Sequence, residues 1–390
     1  MHRWWKTRWM RWPIIWRRIW MWPGFWPLRA DLHLPLGPNT HSPLPEETRM
    51  ALRIPVTILT GFLGAGKTTL LNRLMTEPGF GDTAVIVNEF GAVDVDGGLM
   101  EGVGDRAFAS STGCLCCTVS GDVRLTLLRL KDAAESGKGP AFSRVVIETT
   151  GLADPAPVMQ AFMTNDMMLD HFVLNGVVTV VDAATAQETL SRQDEARRQV
   201  GVADLLVISK TDLADPAPVL DLLHGLAPNA EVVTAQDMTA ERLFSIAAYD
   251  LAGKPPVVAE WLRFAAADTH HHHHSHHSPN HHGSVTAYCF TAEVAVEAAT
   301  MQAAIGVMQQ SFGPDLLRVK GLIEVAETPG RPVVVHAVQH ILSPPRLLPA
   351  WPEDMTGSRL VVIVAGPGRN QLPPLMGAFL PEFTQVGQGW

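Results

Sequence analysis

The sequence predicts an α/β fold, a mostly parallel sheet covered by helices, followed by a smaller α+β domain. Three observations carry this. Short, continuous, β-branched runs alternate with helical stretches over residues 50 to about 265. A glycine-rich turn joins the first run to the first helical pattern. A histidine-rich stretch then separates this region from about 100 further residues with their own strand and helix patterns.

Val56–Leu59 is the first strand, ending at Thr60 and Gly61, and Leu70, Leu71, Leu74 and Met75 follow at helical spacing. Ala84–Asn88, Val145–Glu148, Gly176–Val181 and Leu205–Ser209 are similar runs that end in polar residues, and Val232–Val233 suggests one more. Helices are expected over Val123–Ala134 and Ala186–Val200. Beyond residue 283, strands are expected at Thr286–Phe290, Leu316–Val325, Val333–Gln339 and Arg359–Val364, with a helix over Val296–Gln310. The predicted organisation is therefore an N-terminal extension (1–49), a large α/β domain (50–265), a His-rich linker (266–283) and a small α+β domain (284–390).

Composition narrows the function classes. Of 390 residues, 46% are hydrophobic and 18% charged, as in a globular enzyme. The formal charge of −9 gives no reason to expect nucleic-acid binding. No apolar run reaches the ~18 residues a membrane helix needs, so stable membrane insertion is not expected. Only 4 Cys are present, three of them at Cys114, Cys116 and Cys117, so they do not form a disulfide framework. Residues 1–30 carry seven Lys/Arg and no acid, and eight of the 11 Trp lie among the first 26 residues. This leader is a membrane-interface segment, a targeting segment or a non-structural extension; the last is favoured, so it is set aside from the fold with Met50 as the expected start of the folded protein.

The segment Gly61–Thr68 matches G-x-x-x-x-G-K-T. Gly61, Gly64, Ala65 and Gly66 let the backbone curl so that N–H groups point at phosphate oxygens. Lys67 reaches the β/γ-phosphates, the Thr68 hydroxyl can ligate Mg²⁺, and Thr69 completes the nucleotide-binding set, with the helix starting near Lys67 adding its positive dipole end. Strand before and helix after supply the required context. Ser209-Lys210-Thr211-Asp212 sits at the end of the run Leu205–Ile208, where GTPases place N-K-x-D. There the Asp212 carboxylate can accept from N1–H and N2–H₂ of guanine, a donor pair adenine lacks. Glu148 ends another strand and can hold the Mg²⁺ water shell, and Gly151 can bring its N–H to the γ-phosphate. Asp182, a less specific strand-end acid, is read as structural or as an outer support of the site.

Thr112–Thr118 carries Cys114, Cys116 and Cys117. Thiolates suit Zn²⁺ and its borderline neighbours, and this spacing supplies two or three ligands while leaving a position for a receiving protein. A C-x-C redox pair is the other functional reading of the segment. Cys289 lies in an apolar pattern and is assigned to the core. Glu89, in Asn88–Gly91, is either a Mg²⁺-water or metal contact or a solvated turn acid. Nine of the 16 His lie in 270–282, as a metal-collecting segment or a solvated linker.

Together these segments resemble the CobW-type metallochaperone GTPases, a branch of the P-loop GTPases. The matching residues are T-G-F-L-G-A-G-K-T-T (60–69), N-E-F-G (88–91), G-C-L-C-C-T (113–118), E-T-T-G-L-A-D-P (148–155), V-V-T-V-V-D-A (177–183) and S-K-T-D-L (209–213). Leu317–Gly321, Val338–His340 and Arg359–Val361 resemble the family's C-terminal domain. The resemblance implies a cytoplasmic enzyme that couples GTP hydrolysis to delivery of a metal ion to a client metalloprotein or the cobalamin pathway. Lys67, Thr68, Glu148 and Gly151 would serve catalysis, Ser209, Lys210 and Asp212 the guanine base, and Cys114, Cys116, Cys117 and Glu89 the transferred Zn²⁺ or Co²⁺. The partner would be a client metalloprotein or metal-insertion complex, with a homodimer left open. Ser209 departs from the family's usual Asn. A metal-buffering or sensing protein with regulatory GTP, and a P-loop ATPase with structural cysteines, are the competing readings.

Overall fold

The computed structural model describes residues 53–88, 106–109, 115–119, 122–246, 285–352 and 355–388. The leader, Glu89, Cys114 and the His-rich stretch lie outside them.

The first domain is built on an eight-stranded sheet in the order β3-β4-β2-β5-β1-β6-β7-β8. Its strands are β1 (Ile54–Thr60), β2 (Thr83–Asn88), β3 (Arg106–Ala109), β4 (Leu115–Val119), β5 (Arg144–Thr149), β6 (Phe172–Asp182), β7 (Leu205–Ser209) and β8 (Glu231–Thr234). All neighbouring pairs are parallel except β3 with β4. Cys116 and Cys117 lie within β4, in register with Val85 and Ile86 of β2, so this part of the cysteine segment is strand rather than loop.

Eight helices accompany this sheet among the described residues: α1 (Lys67–Leu74), α2 (Val123–Glu135), α3 (Ala156–Thr164), α4 (Asp166–His171), α5 (Ala186–Arg192), α6 (Asp194–Gly201), α7 (Ala217–Leu226) and α8 (Ala240–Phe244). The sheet is apolar on both faces because successive strand residues point opposite ways. Ile58, Ile86, Ile147 and Ile208 pack with α2, α3, α6 and α7. Leu59, Val85, Val146 and Val207 pack on the other side with α1 and α8.

The stretch Ala186–Val200 forms two helices instead of the one expected. Gln193 between them is extended (φ −111°, ψ 114°). Its N–H closes α5 on the Thr189 carbonyl, and Asp194 and Glu195 then favour a fresh helix N-terminus, where acids meet the positive dipole end.

The second domain is a seven-stranded antiparallel sheet containing β9 (Val285–Ala292), β10 (Leu316–Ile323), β11 (Val333–Val338), β12 (Ile341–Leu342), β13 (Arg346–Leu347), β14 (Ser358–Ala365) and β15 (Thr384–Gln388). Alternation again assigns the faces. Tyr288, Phe290, Val319, Leu360 and Val362 pack beneath α9 (Ala298–Phe312) and α10 (Leu372–Phe379). Val285, Ala287, Leu317, Val361 and Ile363 join the core of the first domain, beside α3, α6 and α7. This sheet therefore lies between its own helices and those of the α/β domain. Cys289 is half-buried in β9, and burial pushes its thiol up to about 11, so it remains protonated at neutral pH.

Candidate nucleotide-binding site

Because β1, β5, β6 and β7 are parallel and adjacent, their C-terminal ends open on one edge of the sheet. Ligands of open α/β sheets bind at this edge. The edge receives the glycine-rich turn from β1, Glu148 and Thr149 from β5, Asp182 from β6 and Ser209 from β7.

Two glycines shape the turn by close approach. At Gly61 φ is +140°, and a Cβ there would lie 2.3 Å from the Val180 carbonyl oxygen, so only glycine lets the chain leave β1 across β6. At Gly151 a Cβ would lie 2.5 Å from Leu63 Cα. The segment after β5 thus rests directly on the glycine-rich turn. Gly64 and Gly66 are also left-handed, and Gly66 caps α1.

Lys67 lies within the curl of the turn. Its Nζ donates to the Gly61 carbonyl at 2.8 Å and to the Phe62 carbonyl at 3.3 Å. Burial draws the ammonium below its ordinary pKa, and the charge of Glu148 opposes that. Thr68 Oγ1 donates to Glu148 Oε1 at 2.5 Å. Hydroxyl and carboxylate oxygens placed together are the donor chemistry a hard cation such as Mg²⁺ requires. Next to them, Thr149 Oγ1 donates to Thr60 Oγ1 at 2.8 Å, which locks β5 to β1 at the mouth of the turn.

Ser209, at the end of β7, is turned toward backbone carbonyls. It is buried, and its hydroxyl donates to the Ala65 carbonyl at 2.7 Å, with the Val181 carbonyl 3.3 Å away. Lys210, at φ 56°, pairs through Nζ with Asp182 Oδ2 at 2.6 Å. Burial alone would raise the Asp182 carboxyl. The Lys210 hydrogen bond and the Ala184 N–H outweigh it and hold the carboxyl below the usual range. Asp182 therefore anchors the turn that carries Asp212. Asp212 itself is exposed.

Sequence reading missed Gln199 of α6. It is fully buried, and its Nε2 donates to the Gly151 carbonyl at 3.1 Å and the Ala153 carbonyl at 3.0 Å. It thereby supports the segment that rests on the turn. A glutamine inside a polar helical stretch carries no local signal of that role.

Residues 55–234 match the CobW/HypB/UreG nucleotide-binding domain, and residues 285–380 match the cobalamin synthesis protein CobW C-terminal domain. A zinc chaperone CobW of Pseudomonas aeruginosa is 30% identical over 317 residues, covering 72% of this chain and 79% of that one. The chain belongs to the CobW/HypB/UreG family.

Other family relatives include the zinc chaperone YjiA of Escherichia coli, 45% identical over 170 residues, covering 43% of this chain and 52% of that one. A zinc-regulated GTPase metalloprotein activator 1 of Schizosaccharomyces pombe is 40% identical over 167 residues, covering 41% of this chain and 39% of that one. The chain thus spans about half the length of these two relatives or less. The crystal structure of Zn(II)-bound YjiA GTPase superposes with a TM-score of 0.66 at 29% identity, over 84% of this chain and 99% of that one. Among the described residues, no helix is long and apolar enough to cross a membrane.

Proposed function

We propose that the chain hydrolyses GTP and couples hydrolysis to handing a metal ion, Zn²⁺ or Co²⁺, to a client metalloprotein. The observation that carries the nucleotide half is the contact of Thr68 with Glu148 beside Lys67 at the strand-end edge. Lys67 supplies positive charge at the β/γ-phosphates. Thr68 and Glu148 would hold Mg²⁺, which neutralises phosphate charge when bound. Gly151 presents its backbone N–H near the γ-phosphate, and the exposed Asp212 accepts from the guanine edge. Hydrolysis by positioning and electrostatics alone is slow without an arginine finger.

The metal half rests on chemistry and on kinship. Cys114, Cys116 and Cys117 are soft ligands that suit Zn²⁺, and relatives bear the names zinc chaperone and zinc-regulated metalloprotein activator. Glu89, between the glycine-rich turn and the cysteines in sequence, joins either the Mg²⁺ side or the thiolate side. Nucleotide and metal sites that share loops are linked reciprocally.

The test is metal titration against a chromophoric chelator with GTP, GDP and no nucleotide. One tight, nucleotide-sensitive site is expected, lost in the double variant Cys116→Ala/Cys117→Ala and kept when 270–282 is deleted. A tight nucleotide-sensitive site that survives the double variant would refute the cysteine assignment.

A further inference from the structure

The segment that follows Glu148 is held from two directions, and only one holder belongs to its own domain. Gln199 grips it from inside through the Gly151 and Ala153 carbonyls. From the second domain, Gln339 Nε2 donates to Asp154 Oδ2 at 3.1 Å. Asp154 keeps its other oxygen on the Ala156 N–H at 2.9 Å, at the start of α3. Gln339 in turn accepts through Oε1 from Gln160 Nε2 of α3 at 3.0 Å.

Gln339 is built for this contact. It stands in the turn between β11 and β12, is only 8% exposed, and has φ 51°. A non-glycine residue in the left-handed region is uncommon, and the side chain retained there satisfies two polar partners across the domain boundary. The same helix that carries Gln199 also touches the second domain. The adjacent Arg198 pairs with Asp315 at 2.6 Å and donates to the Pro314 carbonyl at 2.9 Å.

We propose that the C-terminal domain controls the nucleotide site in cis, with Gln339 as a positioning residue that holds Asp154 and so keeps the Gly151–Asp154 segment against the glycine-rich turn. This rests on reading Glu148–Gly151 as the γ-phosphate-facing segment. In the docked arrangement Gly151 already lies against Leu63, so docking favours the triphosphate over the diphosphate. By linkage, the triphosphate favours docking. The interface has an independent anchor. Asp204, just before β7 and thus at the strand-start edge, binds Arg318 and Lys320 of β10. Loss of the Gln339 contact can therefore uncouple the domains without separating them.

The experiment uses the full chain. Affinities for a non-hydrolysable GTP analogue and for GDP are measured in wild type, Gln339→Gly, Asp154→Ser and the double variant. Glycine accepts the φ at 339, and serine keeps an oxygen for the Ala156 N–H while being too short to reach Gln339. Each single variant should lower the ratio of analogue to GDP affinity by about five- to tenfold, and the double variant should add nothing further. Hydrogen exchange supplies a readout that a merely structural role would not move. In wild type the analogue should protect amides of 337–342, and in Gln339→Gly that protection should vanish while 145–149 still respond. Nucleotide binding by wild type with unchanged ratios and no response at 337–342 overturns this inference alone. Failure of wild type to bind guanine nucleotides overturns the nucleotide reading and the inference with it.

Discussion

Ser209 donates its hydroxyl to the Ala65 carbonyl at 2.7 Å, tying the end of β7 to the glycine-rich turn after β1. The position where GTPases place the asparagine of N-K-x-D thus tethers the glycine-rich turn. A serine oxygen is long enough to cross from β7 to the turn, and its second contact, to Val181, fixes its rotamer.

Ser209→Ala should therefore destabilise the protein by about 1–2 kcal/mol, the worth of a buried hydrogen bond whose acceptor is left without its donor. Urea unfolding measures this. Nucleotide affinity should fall together with stability, because Ala65 loses its tether. A variant as stable as wild type would show that the turn holds its shape without Ser209.

Asp212 is exposed and contributes little to the fold, so its substitution should separate recognition from stability. A carboxylate accepting from N1–H and N2–H₂ of guanine makes charge-assisted bonds worth about 1.5–3 kcal/mol. Asp212→Ala should weaken GDP binding about 10- to 100-fold and erase the preference for GDP over IDP, which lacks the 2-amino group. Calorimetric titration of both nucleotides checks this. Equal loss for GDP and IDP would place the base elsewhere.

The strands of the first sheet were legible because both faces are covered. Leu205–Ser209 reads as a continuous apolar run and is a strand over the same residues. The Gly61–Thr68 turn and Glu148 were legible from spacing, and the structure brings Lys67, Thr68 and Glu148 together. β4 was not, because the metal chemistry of Cys116 and Cys117 masks an ordinary strand pattern, Leu115-Cys116-Cys117-Thr118-Val119. Neither were the contacts that join the domains. Asp154 and Gln339 are 185 residues apart, and no local periodicity encodes a pairing that depends on how two sheets dock.

His336 gives the protein a weakness to acid. It is buried in β11, and burial, then the charges of Arg318 and Lys320, push its imidazole well below the ordinary value. In the unfolded chain it takes a proton near pH ~6.5. Below that pH the unfolded state binds more protons than the folded one, so stability falls by up to about 1.4 kcal/mol per pH unit. His336→Gln cannot titrate and should lose this part of the slope. Urea unfolding of both proteins at about pH 7 and about pH 5.5 should show the wild type losing roughly 1 kcal/mol more than the variant. Parallel losses would remove His336 as the cause.

A buried ion cluster of Asp204, Arg318 and Lys320 stands at the strand-start edge. Asp204 Oδ1 accepts from Arg318 at 2.7 Å and from Lys320 at 2.5 Å, while Oδ2 accepts from the Val177 N–H at 2.9 Å. Arg318 also donates to the Val202 carbonyl. Burial opposes ionisation of Asp204, but the two cations outweigh it and hold the carboxyl below its usual range. Burial also draws the Lys320 ammonium down to about 8. One anion thus stabilises two cations that are all but removed from water. Asp204→Asn leaves both cations without their counter-charge and should cost about 3–5 kcal/mol, the range for breaking a buried ion pair from one side. Replacing the three together, Asp204→Leu with Arg318→Met and Lys320→Met, removes the charges along with their desolvation cost and should recover most of that loss. Guanidinium unfolding of the three-site variant against Asp204→Asn decides it. If the apolar set is as unstable as Asp204→Asn, the cluster stabilises the interface through hydrogen-bond geometry that methionine cannot replace, and charge balance is not its main contribution.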